Sequence, residues 1–177
     1  MVFDFFPIDE VEGTEGRVHD LYLAPLAWFA TVQEPTNTPT NAGDTVTIDA
    51  AHVFVGTPTP THGWLELKLV TNKEGVFKFD TEGEYPNQKV KTTAEGNIIG
   101  LTAAQVELLK KGKNTKWLAM LKNGACGEGQ FWQIGCKCNP TILKGAYSSE
   151  DNVFKVTLEA GCEPTLYDVA GALPLES

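Results

Sequence analysis

Short runs of alternating apolar and polar residues, broken by clusters of Gly, Pro, Asn and Asp, constrain this chain more than any other feature. VFKVTLEA at 153–160 is the cleanest. Phe154, Val156 and Leu158 fall on one side, and Lys155, Thr157 and Glu159 on the other. That two-residue period belongs to a strand with one buried face. WLELKLV at 64–70 places Leu65, Leu67 and Leu69 together in the same way. VFKFD at 76–80 and QKVKT at 88–92 read as shorter strands around the turn TEGEYPN. VHDLYLAPLAWFA contains Pro25, which points to an edge strand or a bulge. TVTIDAAHVFV at 45–55 alternates around Val46 and Ile48, then changes phase at Ala50 and Ala51, as at a bulge. TKWLAMLK leads through the glycine-rich NGACGEG into FWQIGCKC. TILKGAY turns through SSEDN, and PTLYDVA closes the series.

One segment breaks the pattern. LTAAQVELLKKGKN has Thr102 placed as an N-cap with Gln105 three residues on, a capping box. Leu101, Ala104 and Leu108, widened by Leu109, form an apolar stripe. Lys110 and Lys111 suit the negative end of the helix, and Gly112 suits a left-handed stop. The expected architecture is mainly β: a β-sandwich or barrel of about nine or ten strands with one flanking α-helix over about 102–111.

A length of 177 residues favours one domain, and a chain of this size buries roughly 70% of its unfolded surface without staples. The expected organisation is an arm at 1–16 followed by a single β domain at 17–177, with loops at 33–44 and 56–63 rich in Pro and Thr. The arm holds Asp4, Asp9, Glu10, Glu12 and Glu15 without a base, and also Phe3, Phe5 and Phe6. A solvated tail has no use for three Phe, so the arm is expected to pack on this chain or on a neighbouring copy. MVFDFFPIDE lacks a basic start and Asp4 interrupts its apolar run, so it does not read as a signal peptide. The longest apolar run, at 21–30, contains Pro25 and is shorter than the ~20 residues of a spanning helix. The chain therefore reads as a soluble cytoplasmic product with reduced thiols and no membrane partner.

The cysteines test for chemistry. On one continuous strand Trp132, Ile134, Cys136 and Cys138 share a face, so both thiols are expected inside as small hydrophobes, with Gln133 and Lys137 pointing away. Cys126, Cys136, Cys138 and Cys162 lack the paired C-x2-4-C spacing of structural zinc sites. Glu82, Glu84, Glu95 and Asp80 lack the spacing of a calcium loop and read as surface carboxylates. His19 beside Asp20, and His52 near Asp49, recommend themselves as oriented bases, but no nucleophile elbow accompanies them. His62, in a Pro-Thr loop, is expected to be solvated. NGACGEGQ lacks the Lys-Ser or Lys-Thr of a phosphate loop and precedes a strand. No catalytic residue, metal ligand or cofactor-binding residue is assigned, and the chain is read as a non-enzyme.

Charge says more. The net charge is -9, and Arg17 is the only Arg among 14 basic residues. Phosphates and base edges are best met by Arg forks, so specific nucleic-acid binding is not expected. Lys110, Lys111, Lys113, Lys116 and Lys122 form a stretch without an acid. It reads either as a solvated helix end or as a contact for an acidic surface, with the arm of another copy as candidate.

The helix LTAAQVELLKKG, the pair KWLAMLKNGACGEGQFWQIG and the closing ILKGAYSSEDNVFKVTLEAGCEPTLYDVAG resemble the tail tube proteins of long-tailed bacteriophages. The last stretch is similar to C-terminal segments of structural proteins in phages of Bacteroidetes hosts. Those carry a Tyr-Ser turn closed by Asp-Asn, here Tyr147, Ser148, Ser149, Asp151 and Asn152, and a Pro-aromatic close, here Pro164 and Tyr167. The likeness covers about 110 residues in the last two thirds of the chain. It implies a virion structural protein made in the host cytoplasm and located in the tail. Its subunits form hexameric rings that stack head to tail, contact other tail proteins and pass DNA without binding it. An acidic lumen fits that task by repulsion. Phe3, Phe5, Phe6, Asp9, Glu10, Glu12, Pro35, Thr38, Pro39, Pro58, Pro60, His62, Lys110, Lys111 and Lys113 are the subunit-interface candidates. A tail terminator or connector ring, or the inner tube of a contractile injection system, fits the same profile. A different class, a carbohydrate-binding module, would need exposed rings among Trp28, Trp64, Trp117 and Trp132, of which Trp117 and Trp132 fall in core phases.

Overall fold

The computed structural model describes residues 17–35, 46–56, 59–71, 77–84, 88–122, 130–169 and 172–176. The chain is mainly β. In order it forms β1 (Arg17–Pro25), a 3-10 turn (Leu26–Trp28), β2 (Phe29–Thr31), β3 (Thr47–Ile48), β4 (Val53–Phe54), β5 (Leu65–Thr71), β6 (Phe77–Glu82) and β7 (Lys89–Ile99). There follow α1 (Ala103–Lys111), a 3-10 turn (Gly112–Asn114), β8 (Lys116–Lys122), β9 (Gln130–Ile134), β10 (Thr141–Ser148), β11 (Val153–Ala160) and β12 (Thr165–Asp168). Ten strands share one sheet, and β2 and β4 form a small second one.

The large sheet curls on itself. Its path runs β1-β5-β7-β11-β10-β8, and β8 also pairs with β1 along Leu21–Pro25. Six strands thus complete a ring, narrowest where β8 and β10 share only Thr141↔Trp117 and Ile142↔Lys116. From β8 the sheet continues outward through β9 and β12 to β3, whose pairing with β12 is parallel. Every other strand pair is antiparallel.

This curl creates two cores. Inside the ring, Leu21, Leu23, Leu67, Leu69, Ile98, Phe154 and Leu158 pack with Trp117, Ala119 and Leu121 of β8. Outside it, Leu118 and Met120 of β8 pack with Phe29, Ile48, Phe54, Trp64, Phe131 and Tyr167. Strand β8 therefore separates the cores and has an uninterrupted apolar run, as strands buried on both faces do. The expected alternation holds in β5 and β11, which are bounded by one core and solvent.

Four expectations change in detail. The run at 45–55 divides at 49–52 into β3 and β4, which belong to different sheets, rather than bulging within one strand. QKVKT is the start of the eleven-residue β7, whose inward positions continue through Thr92, Ala94 and Ile98. The capping box of Thr102 and Gln105 is present, but the helix buries Val106 and Leu109 while Ala104 is exposed. Gly112 is not left-handed; its φ is -78°. It is needed for space, because a Cβ there would collide with the ring of Trp117, whose indole N–H donates to the Gly112 carbonyl at 2.9 Å. The helix end thus rests on the largest side chain of the ring core.

Candidate assembly surface

Strand β6 buries almost nothing. Only Phe77 is partly covered, by an edge-on contact with Trp132 at 5.6 Å, and Lys78 through Glu82 are all exposed. Phe79 is 57% exposed. One edge of β6 pairs with Lys89–Ala94 of β7, and among the described residues its other edge pairs with nothing. An open edge with an exposed aromatic ring is a template for another chain.

Beside the Glu82–Lys89 end of this hairpin lies a groove of about 960 Å³. Lys89 and Lys91 of β7 face it from one side, Lys113 from the turn after α1 and Lys116 from the start of β8. Exposed Ile142 and the neighbouring Pro140 add apolar surface. Lys113 thus lines a cationic groove, whereas Lys110 does not. Lys110 pairs with Glu107 at 3.7 Å and stands 4.9 Å over the ring of Tyr147, at the far end of β10 from Ile142. Lys111 is exposed. Lys89 and Lys91 were not among the candidates. Their signal is the i, i+2 spacing, which puts both on one face of a strand.

Residues 61–63 of the second loop are tied down rather than free. His62 stacks on Trp28, with centroids 4.2 Å apart and planes 7° apart, and it lies 3.3 Å from Glu176. Glu176 also accepts from the Gly63 N–H, while Trp64 exchanges backbone hydrogen bonds with Pro174 and Glu176. The expectation of a solvated His62 is corrected by this C-terminal strap. Pro60 is exposed and Pro35 half-buried. The candidates Phe3, Phe5, Phe6, Asp9, Glu10, Glu12, Thr38, Pro39 and Pro58 lie outside the described residues.

The histidine and cysteine readings resolve differently. His52 is a satisfied core residue, 7% exposed: its Nε2 lies 2.7 Å from Gln133 Oε1, and its Nδ1 accepts from the Gln33 N–H at 2.9 Å. Burial pushes its pKa down to about 4, so at neutral pH the ring is uncharged. Gln133 therefore points into the outer core, contrary to the expectation that it faces away. Asp20 is engaged by Lys68 and Lys122.

The strand carrying the cysteines ends early. Gly135, at φ +90°, turns the chain out of β9, and a Cβ there would press on Thr141. Cys136 and Cys138 consequently sit in a turn, half-buried and exposed, and not on a core face. Trp132, assigned to the core for the same reason, is only half-buried, while Trp64 is the core residue at 1% exposure. The Cys136 sulfur accepts from the Asn139 N–H at 3.3 Å, and Cys162 approaches the Asn139 carbonyl at 3.7 Å. Burial and the neighbouring Cys136 thiol push Cys162 up to about 12, so it is a poor nucleophile. Cys126 and the NGACGEG stretch are outside the described residues. Among the described residues, no three His, Cys, Asp or Glu side chains converge as a metal site, and no helix is long and apolar enough to cross a membrane.

The geometry defines a class: a mainly β chain with a six-strand ring, a second core outside it and an exposed hairpin. Comparison with protein-family models, curated proteins and solved structures found no match.

Proposed function

We propose that this chain is a self-assembling structural subunit of a phage tail tube, whose copies form rings that stack around a DNA-conducting lumen. The observation that carries this reading is β6, a strand whose second edge is open among the described residues and whose side chains are exposed around Phe79. Exposed apolar side chains on a strand edge find cover in a neighbouring copy. The net charge of -9 and the single Arg support a lumen that lets DNA pass without holding it. The sequence likeness around Tyr147–Asn152 supports the same assignment. There the Tyr147 hydroxyl donates to Asn152 Oδ1 at 3.0 Å, and Asn152, at φ +50°, donates its amide to the Leu101 carbonyl at 3.3 Å. The turn thus clamps the β10–β11 hairpin to the start of the helix.

Negative-stain electron microscopy of the purified chain, with a sizing run beside it, tests the proposal. Rings or stacked tubes with a central hole are expected. Single rings that never stack point instead to a terminator or connector. A strictly monomeric chain at high concentration and varied salt overturns the reading. Glycan binding that quenches Trp fluorescence would then favour the carbohydrate-binding alternative.

A further inference from the structure

The geometry points to an occupant for the cationic groove: residues 1–16 of a second copy. This rests on the assembly reading above, which supplies the neighbouring copy, and it names the contact that joins the two.

The groove inverts the charge of the molecule. In a chain of net charge -9, four Lys face this one cavity against two Glu among the described residues. Both acids are engaged within the chain. Glu82 meets Lys91 at 3.4 Å, and Glu159 meets Lys144 at 2.6 Å and Lys91 at 3.9 Å. Lys89, Lys113 and Lys116 form no ion pair among the described residues. Three cations are thus left facing a groove whose surface also holds Val90, Pro140 and half-exposed Ile142. The site suits a ligand that is both acidic and apolar.

The arm has that chemistry. MVFDFFPIDEVEGTEG interleaves Asp4, Asp9, Glu10, Glu12 and Glu15 with Phe3, Phe5, Phe6, Ile8 and Val11, and contains no base. Nucleic acid fits less well. Among the described residues the groove offers no Arg fork for phosphates and no aromatic ring on which a base can stack. A free inorganic anion would leave the apolar surface and most of the volume unfilled. Docking in a second copy also makes the contact heterologous, with the arm of one copy meeting the groove of the next, as rings and stacks require.

The test uses the full-length chain, mixed in equal parts with its ¹⁵N-labelled form and joined by a zero-length carbodiimide. Mass spectrometry is expected to find amides between the carboxylates of Asp9, Glu10 or Glu12 and Nζ of Lys89, Lys113 or Lys116, with half of the pairs carrying mixed isotopes. Lys113 and Lys116 are exposed, so the double reversal Lys113→Glu with Lys116→Glu spares the fold. It is expected to weaken association in sedimentation velocity at least about tenfold, and Asp9→Lys with Glu10→Lys to restore it. Cross-links of one isotope only would place the arm in its own chain's groove and overturn the inference. Assembly that ignores the reversal overturns it while leaving the assembly reading intact. A wild-type chain that stays monomeric removes both.

Discussion

Strands β8 and β6 are both short and both carry aromatic rings, yet β8 is buried on both faces and β6 on neither. Trp117, Leu118, Ala119, Met120 and Leu121 alternate between the ring core and the outer core, and none is more than 1% exposed. In β6, Phe77 and Phe79 alternate with Lys78 and Asp80 as though one face met a core, but the hairpin stands where only Phe77 finds cover. The contrast separates two kinds of apolar residue. Those of β8 are satisfied within this chain, and Phe79 has no such partner among the described residues. Stability should follow β8, and association should follow β6.

The strongest test is Trp117→Ala. Its ring is fully buried and its N–H bonds the Gly112 carbonyl, so the change leaves a large cavity and removes one of the two donors to that carbonyl, the other being the Thr115 N–H at 2.9 Å. A loss of about 3–5 kcal/mol is expected in denaturant unfolding. A loss below about 1 kcal/mol would mean that the two cores do not hang on β8.

Acid should reach the outer core next, through His52. Its folded pKa of about 4 lies below the 6.5 of a free imidazole. As pH falls the unfolded chain therefore takes up the proton first. The contribution is complete above about pH 6.5, declines between pH 6.5 and 4, and changes no further below. The span corresponds to roughly 3 kcal/mol. An NMR titration of the His52 ring protons should show no protonation between pH 7 and 5. A midpoint near 6.5 would remove the effect and question the buried pair with Gln133.

Gly112→Ala is smaller and more local. The added methyl meets the Trp117 ring directly, and the helix end has to shift. Overpacking of this kind costs about 1–3 kcal/mol, where the same change at an exposed helix position would stabilise. A gain in melting temperature would show that α1 is free to move away from the ring core.

These residues also show what the sequence made legible. Alternation identifies strands well where one face meets solvent, as in β5 and β11. It identifies β8 as a strand but conceals its two cores, because an unbroken apolar run carries no period. The capping box at Thr102 is local chemistry and reads directly, whereas the role of Gly112 depends on a ring five residues on and on the curl that buries it. Cys136 and Cys138 misled because one glycine, Gly135, ends the strand, and a strand pattern does not reveal positive φ. The groove is the least legible feature. Lys89 and Lys91 meet Lys113 and Lys116 only because the ring flanks β11 with β7 on one edge and β10 on the other, and sets their ends beside the turn after α1. Lys110 and Lys113, near neighbours in sequence, end on different surfaces.

Phe79→Ser is expected to change least in the isolated chain and most clearly to divide the two strands. The side chain is 57% exposed and lies opposite Thr92 on β7, with open solvent beyond. Removing it should alter unfolding free energy by no more than about 0.5 kcal/mol, the range for surface positions. If β6 is a joint, the same variant at equal concentration should form fewer or shorter assemblies in sedimentation velocity and electron microscopy. A large loss of stability would place Phe79 in a core within its own chain. Unchanged stability together with unchanged assembly would leave β6 exposed but idle and move the joint elsewhere. The informative result is a dissociation of the two readouts, since a chain whose cores are closed by β8 can lose the apolar face of β6 without unfolding.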